Sequence, residues 1–339
     1  MGLKTLRLVC TIGRFFAITP SSIDTKTEPF YQKMYIFVVL GLLTCGLIST
    51  TITNNFYLGD IYMKIVVAYL TELNLYIFSL YVLVVVNLRQ RKRWYLLMRH
   101  LEIIKIKIKV PKKKGWKLPY FSKFWGFCFL TLLCEALVDF RWAFLFGWRY
   151  LNKFNVRLVQ IFFTNYYKFM LCVVLNTFRV CYQKIRHQKT LNETVQIFVQ
   201  LRQTIDVFNE IFQFPIALMV AFTTFEVLNY ILFTLYVKIE VSVFESIVLA
   251  SLRLGPTVVW TTVLLLLCDY VRQEGEKIVT LFYEMRLQNY ELFELTEYVE
   301  ENLPVLTAGY FRLGKPTILR MFATVANFVI VVVQVTNKN

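Results

Sequence analysis

Long apolar stretches separated by charged segments dominate this sequence. A helix needs about 20 predominantly apolar residues to cross a membrane. Seven stretches reach that length, at about 34–53, 61–88, 119–147, 156–181, 212–237, 243–271 and 307–335. The pattern predicts an all-α membrane protein with seven transmembrane helices, folded as a single domain over residues 1–339. Hydrophobic residues make up 57% of the chain and charged residues only 18%, too few charges for the surface of a soluble protein of this length.

The distribution of basic residues predicts the orientation. Twelve Lys and Arg residues lie in the segment 89–118, and such segments stay on the cytoplasmic side. This places the N-terminus in the cytoplasm, the C-terminus outside, and the long segments 89–118, 182–211 and 272–306 inside. G-protein-coupled receptors have the opposite orientation, and their Asp-Arg-Tyr and Asn-Pro-x-x-Tyr motifs are missing from spans three and seven, so that class is excluded.

The inner segments carry helical patterns of their own. Apolar residues at helical spacing predict that Thr190–Ile211 extends a neighbouring span, and Ile278–Leu303 shows a similar but acidic pattern. Ile104–Val110 alternates with a period of two, which fits either a short strand or a segment lying on the inner leaflet. Asn192 begins a glycosylation sequon that this orientation places on the cytoplasmic side, where no glycan is attached.

Several polar residues lie within the predicted spans. Glu135 and Asp139 are four residues apart in span three, and buried carboxylates there require a partner, a bound proton or access to water. Lys168 in span four and Arg253 in span six are the cations expected to pair with them. Two interpretations remain open, an ion pair that orients the helices and a polar ligand pocket in the outer half of the bundle. The candidate pocket residues are Glu135, Asp139, Trp142, Tyr166, Glu226, Tyr230 and Arg253.

The last apolar stretch, Met321–Val335, contains no charge but carries two amides, Asn327 and Gln334. An amide in hydrocarbon costs free energy unless it finds a partner or water. The stretch is therefore typical of a helix that lines a water-filled path. A terminal anchor with one interhelical hydrogen bond is the alternative.

The same region resembles the insect gustatory receptors. Their last helix carries Thr-Tyr, five mostly apolar residues and Gln-Phe, and the matching register here runs from Asn327-Phe328 to Gln334-Val335. Gln334 is identical to the family residue and Phe328 is a conservative replacement, whereas Asn327 and Val335 depart from the pattern. The preceding segment Thr307–Leu313 looks like the family's Ala-x-Gly-x-Phe-x-Leu motif.

This resemblance implies a ligand-gated, non-selective cation channel in the plasma membrane. It implies a homo- or heterotetramer whose last helices line a central pore, and a small-molecule tastant as ligand. Carried over by position, Gln334 and Val335 form the gate, with Asn327, Phe328 and Val331 on the same helical stripe.

Other classes of function find less support. The chain has only two His residues and no zinc, phosphate-binding or nucleophile motif, so we expect no enzymatic activity, cofactor or metal. The formal charge of +16 would suit nucleic acid, but a membrane location makes anionic lipid the expected contact. The seven Cys residues show no CxxC spacing and are expected to be free thiols. The remaining alternatives are a secondary transporter, which would require an internal repeat, and an odorant-receptor-type channel subunit.

Overall fold

The computed structural model describes residues 3–19, 30–57, 62–108, 119–147, 155–186, 191–236, 242–286, 293–309 and 311–336. Within these ranges lie ten α-helices, one π-helical segment and one two-stranded hairpin. The helices are α1 (Leu3–Phe15), α2 (Phe30–Tyr57), α3 (Tyr62–Leu80), α4 (Arg91–Lys107), α5 (Pro119–Phe146), α6 (Asn155–Ile185), α7 (Leu191–Tyr236), α8 (Val243–Arg286), α9 (Phe293–Glu301) and α10 (Lys315–Thr336). The π-helical segment is Tyr81–Arg89, and the strands are β1 (Thr307–Ala308) and β2 (Phe311–Arg312).

Within the described ranges, six helical stretches are long and apolar enough to cross a membrane. They are Phe30–Ile52, Lys64–Arg89, Val156–Ile185, Glu193–Thr234, Phe244–Glu284 and Lys315–Val332. The third predicted span corresponds to α5, a helix of 28 residues that is not among these six. The second half of α5 carries three charged residues, Glu135, Asp139 and Arg141. A helix with this composition needs partners for its charges inside the bundle.

Helix α6 lies at the centre of the bundle. It packs against α1, α2, α3, α5, α7 and α8. Its large side chains Tyr166, Tyr167, Phe178 and Tyr182 are fully buried. This helix therefore contributes much of the main hydrophobic core. Because it is covered by other helices, it can cross the membrane although Lys168 lies in its middle.

The N-terminal helix α1 is inserted into the bundle rather than lying free. The hydroxyl of Tyr166 donates a hydrogen bond to the carbonyl of Val9, and the side-chain amide of Asn87 donates to the carbonyl of Ala17. Ala17 has a φ of 58°, an unfavourable conformation for a residue with a Cβ, and it is fully buried. Asn87 belongs to the π-helical segment, whose wide turn ends where the N–H of Gln90 donates to the carbonyl of Val85.

The described cysteines are free thiols, as the sequence predicted. They are Cys10, Cys45, Cys134, Cys172, Cys181 and Cys268. In α1, burial raises the pKa of the Cys10 thiol to about 12, so this group remains protonated and unreactive at neutral pH.

Helices α7 and α8 are much longer than a membrane is thick. At about 1.5 Å per residue, the 46 residues of α7 and the 44 of α8 extend roughly 65–70 Å. The predicted helix Thr190–Ile211 and span five are thus one continuous helix, with Pro215 inside it. The predicted acidic helix Ile278–Leu303 is divided instead: its first part continues α8, and its last part is α9, with residues 287–292 outside the described ranges.

The segment 89–118 contains a helix where the alternating pattern allowed a strand. Helix α4 continues to Lys107, and Ile104 and Ile108 are buried while Ile106 is exposed. The alternating pattern therefore does not form a strand, because these residues belong to a helix that packs against α7.

The seventh predicted span begins later than the sequence indicated. Residues 307–312 contain the hairpin β1–β2, in which Thr307 pairs with Arg312 and Ala308 with Phe311. Gly309 has a φ of 66°, which turns the chain and would strain any other residue. Helix α10 then begins at Lys315, so Arg312 lies before the membrane helix and not in it.

Candidate functional site

A network of buried charges joins five helices. Arg157 of α6 lies between two carboxylates: its Nη1 is 2.8 Å from Oε1 of Glu72 in α3, and its Nη2 bonds Oε1 of Glu226 in α7. The side chains of all three residues are at most 6% exposed. A buried guanidinium bound on both sides by carboxylates is stable only while these partners are present.

Arg253 of α8 extends the network to α5. Its Nε donates to Oε1 of Glu226 over 3.0 Å, and its Nη1 lies 3.9 Å from Oδ1 of Asp139. Glu226 thus accepts from two guanidinium groups, one from α6 and one from α8. We call the six residues the charge network: Glu72, Glu135, Asp139, Arg157, Glu226 and Arg253.

Glu135 lies inside this network and is the residue least engaged by it. It is 2% exposed, and its Oε2 has no hydrogen-bond partner within the described parts of the chain. The charged groups that act on it most strongly are Arg253, Arg157, Glu226 and Asp139. Its carboxyl group therefore lies within electrostatic reach of Arg157 and Arg253 but forms no ion pair with a described residue.

The three aromatic residues predicted for the pocket have different surroundings. Trp142 packs edge-on against Phe233 of α7, with ring centroids 4.8 Å apart. Tyr230 of α7 donates a hydrogen bond to the carbonyl of Ser246 in α8 over 3.2 Å. Tyr166, by contrast, lies against α1, where its hydroxyl binds Val9.

Helix α10 has two different faces. Met321, Val325 and Val332 are buried, and Val325, Phe328 and Val332 pack with residues of α3 and α7 in a small hydrophobic cluster. The opposite face is exposed and includes Asn327, Ile330, Val331 and Gln334. The predicted pore residues Asn327, Val331 and Gln334 therefore share an exposed face, whereas Phe328 lies toward α7. The side chain of Val335 is outside the described residues.

The chain that leads into α10 is held by α7 and α8. Asn209 of α7 uses both ends of its amide, donating to the carbonyl of Val305 over 2.7 Å and accepting from the N–H of Thr307 over 3.3 Å. At the start of α10, Nζ of Lys315 lies 3.7 Å from Oδ2 of Asp269 in α8. Lys315 thus pairs with α8 before the uncharged part of α10 begins.

A groove of 470 Å³ lies beside the hydrogen bonds that Asn209 makes with the chain before α10. Its walls include Arg202 and Asp206 of α7 together with Asn209 and Thr307. The predicted ligand residues are not among those lining it, so it is distinct from the charge network.

Comparison with known families decides the identity. The family model described as 7tm Chemosensory receptor matches residues 6–338, nearly the whole chain. The chain belongs to the 7tm chemosensory receptor family. None of the curated proteins compared with this receptor matches it in sequence.

Solved structures agree with the receptor's fold. The insect olfactory receptor OR5 from Machilis hrabei aligns with a TM-score of 0.67 at 11% sequence identity, covering 98% of each chain. The same protein in complex with eugenol aligns with a TM-score of 0.66 at 12% identity, again covering 98% of each chain. At this identity the likeness establishes a shared fold for the receptor.

Sequence reasoning missed Arg157, the cation at the centre of the receptor's charge network. Arg157 is the third residue of α6 and lies at the predicted boundary of span four, and it was not among the candidate residues. Arg253 does lie beside Asp139, as predicted, but the pairing predicted for Lys168 is wrong, because its Nζ has no hydrogen-bond partner among the described residues. No local pattern in the sequence linked Arg157 to Glu72, because 85 residues separate them in the chain.

Proposed function

We propose that this receptor is a ligand-gated, non-selective cation channel of the gustatory type, located in the plasma membrane. The observation that carries the proposal is the exposed face of α10. It presents two amides, Asn327 and Gln334, beside Ile330 and Val331 in the uncharged part of the helix after Arg320. Lipid offers these amides no partner, whereas a water-filled path shared by several copies does.

The exposed face of α10 contrasts with that of α2. Beyond Lys33 in its first turn, the first half of helix α2 exposes mainly large apolar side chains, including Phe37, Val38 and Leu42, which suits contact with lipid. In α10 the exposed stripe alternates amides with Ile330 and Val331. A ring of four such stripes around a central axis provides both polar positions for ions and an apolar constriction that closes by dewetting.

The charge network is the proposed ligand site. On the predicted orientation it lies in the outer half of the bundle, since α6 begins outside and Arg157 is in its first turn. Because it joins α3, α5, α6, α7 and α8, a ligand that changes its geometry acts on every one of these helices. Helix α10 packs on α7 and α8, so a ligand that binds the open arrangement better shifts the population toward it.

The gustatory assignment is supported by the tail. Gln334 is identical to the gustatory pattern and Phe328 is a conservative replacement in it, although Asn327 and Val335 depart from it, and Thr307–Leu313 resembles the segment before it. The likeness in fold to an olfactory receptor favours a second candidate, an odorant-receptor-type channel subunit. The two are distinguished by the ligands that open the channel.

Whole-cell recording tests the proposal. The chain is expressed alone in a heterologous cell, with surface expression confirmed, and exposed to sugars, bitter compounds and eugenol. A rapid cation current that needs no G protein is expected with sugars or bitter compounds. A current evoked by eugenol alone would favour the odorant type, and saturable flux without channel currents would contradict the channel and favour a transporter.

Gln334→Ala identifies the pore face. Because Gln334 lies on the exposed stripe, we expect this variant to change single-channel conductance or ion selectivity without loss of surface expression. Phe322→Ala is the matched control, since Phe322 is also exposed on α10, at 47%, but five residues from Asn327 and so on another side of the helix. Equal effects of the two variants, or none from Gln334→Ala, would remove Gln334 from the pore.

A further inference from the structure

The charge network contains more carboxylates than guanidinium groups. Four acidic residues, Glu72, Glu135, Asp139 and Glu226, face two basic ones, Arg157 and Arg253, and all six are at most 7% exposed. With every group ionised, the network has a formal charge of −2. Such an excess of negative charge is costly in a membrane, so added positive charge near the network would be stabilising.

The excess is concentrated at Glu135. Glu72 and Glu226 bind Arg157, and Asp139 lies beside Arg253, so these three carboxylates already have cationic partners. Oε2 of Glu135 has no hydrogen-bond partner among the described residues; the same is true of Oε2 of Glu226, but Glu226 pairs with two guanidinium groups through its other oxygen. A carboxylate oxygen that is both buried and unengaged is an acceptor for a charged N–H donor.

Aromatic side chains lie further along the helix face that carries this acceptor. Trp142 follows Glu135 by seven residues, two turns further along the same face of α5, and packs against Phe233. The ammonium of Lys64, which is 4% exposed, lies 5.4 Å from the centroid of the Phe233 ring, so these rings already accommodate one buried cation. Aromatic faces and a carboxylate together form the usual surroundings of a bound organic ammonium.

We infer that the receptor's ligand is an organic ammonium compound, a protonated amine with an apolar body, whose charged nitrogen donates to Glu135. The inference rests on the proposed function only in taking the charge network as the ligand site. The apolar body packs toward Trp142, and the cation offsets part of the excess negative charge. Neutral compounds of the same shape leave Oε2 of Glu135 without a donor and bind more weakly.

Matched ligands test the inference on the purified, full-length receptor. Each pair consists of a primary amine and the alcohol with the same carbon skeleton, from hexylamine and hexanol to phenethylamine and phenethyl alcohol. Binding is measured as the ligand-dependent rise in the temperature of thermal unfolding. The apparent Kd of the best amine is expected to be at least about tenfold below that of its alcohol, the gain typical of one charge-assisted hydrogen bond.

Two variants locate the effect. Glu135→Gln keeps the size of the side chain and removes its charge, and it is expected to abolish the preference for amines. Glu245→Gln is the matched control, because Glu245 pairs with Arg141 at a position about one third exposed and outside the network, and its loss should leave the preference unchanged. If Glu135→Gln does not fold, the comparison of amines with alcohols on the unaltered receptor still decides.

The outcomes separate this inference from the proposed function. Equal binding of amines and alcohols, or a preference that survives in Glu135→Gln, would overturn the inference even if neutral ligands open the channel. A third result would also overturn the inference: sodium stabilises the receptor more than choline does, this difference requires Glu135, and amines have no effect. The excess charge would then be balanced by an inorganic ion. Amine binding without any current would support the inference and contradict the channel.

Discussion

At the scale of single residues, Arg157 links the helices that meet at the charge network. Its guanidinium is the only described link between Glu72 of α3 and Glu226 of α7. Without this guanidinium, the carboxylates of Glu72 and Glu226 are buried with less positive charge to balance them. Desolvated charges that lose their partner destabilise a protein far more than a paired network stabilises it.

Arg157→Leu is therefore expected to destabilise the receptor by about 3–5 kcal/mol, as is usual when one partner of a buried pair is removed. The measurement is thermal or denaturant unfolding of the purified receptor in detergent. Arg141→Leu is the control, because the pair Arg141–Glu245 is about one third exposed and such pairs contribute about 0–1 kcal/mol. Arg157→Met combined with Glu72→Gln and Glu226→Gln removes both signs together and should recover part of the loss.

Tyr166 makes a structural contact where the sequence suggested a ligand contact. The sequence placed it among candidate ligand contacts, and in the structure its hydroxyl binds the carbonyl of Val9 in α1. Tyr166→Phe is expected to lower stability by about 1 kcal/mol, the usual contribution of one hydrogen bond, and to leave agonist potency unchanged. Dose–response curves and unfolding together check this. A shift in potency at unchanged stability would return Tyr166 to the ligand site.

At the scale of elements, close contact between α2 and α6 depends on one glycine. A Cβ added at Gly46 would lie 2.0 Å from Cγ2 of Val156, the residue before Arg157. Gly41 is in the same helix but has no atom within 4 Å of such a Cβ. The position of α6, and with it the guanidinium of Arg157, therefore depends on the absence of a side chain at residue 46.

Gly46→Ala is expected to destabilise the receptor by about 1–3 kcal/mol, because a packed interface must move to admit the methyl group. Gly41→Ala should cause no loss, since alanine favours a helix over glycine. Unfolding measurements compare the two variants under identical conditions. Equal behaviour of the pair would show that α2 and α6 are not in close contact at Gly46, and partial recovery by Val156→Gly would identify the contact.

At the scale of the whole molecule, the receptor combines an exposed amide-bearing helix with a network that ties together the helices behind it. Helix α10 packs on α7 and α8, and these two also carry Glu226 and Arg253. Asn209 and Asp269 hold the chain that leads into α10. A change in the network thus has a direct mechanical connection to the helix that is proposed to line the pore.

The orientation of the whole receptor is a further prediction. The twelve basic residues in 89–118 place that segment in the cytoplasm, with the N-terminus inside and the C-terminus outside. An epitope fused to the C-terminus should be labelled on intact cells, and one fused to the N-terminus only after permeabilisation. The opposite labelling, or a glycan on Asn192, would reverse the orientation.

The sequence by itself determined the helical membrane fold and the approximate position of the spans. A stretch of about 20 apolar residues can satisfy its backbone in lipid only as a helix, so local composition is sufficient for this conclusion. It also located Gln334 and Asn327 on a common stripe of the last helix, because helical periodicity is a local property.

Only the tertiary structure decided which charges pair and which side of α10 is exposed. Arg157 lies 85 residues from Glu72 and 69 from Glu226, and no local pattern links residues so distant in the chain. Phe328 shares a helix with Asn327, yet it packs against α7 because neighbouring helices cover that side. Burial and pairing are properties of the packed bundle, since they depend on which helices become neighbours when the chain folds.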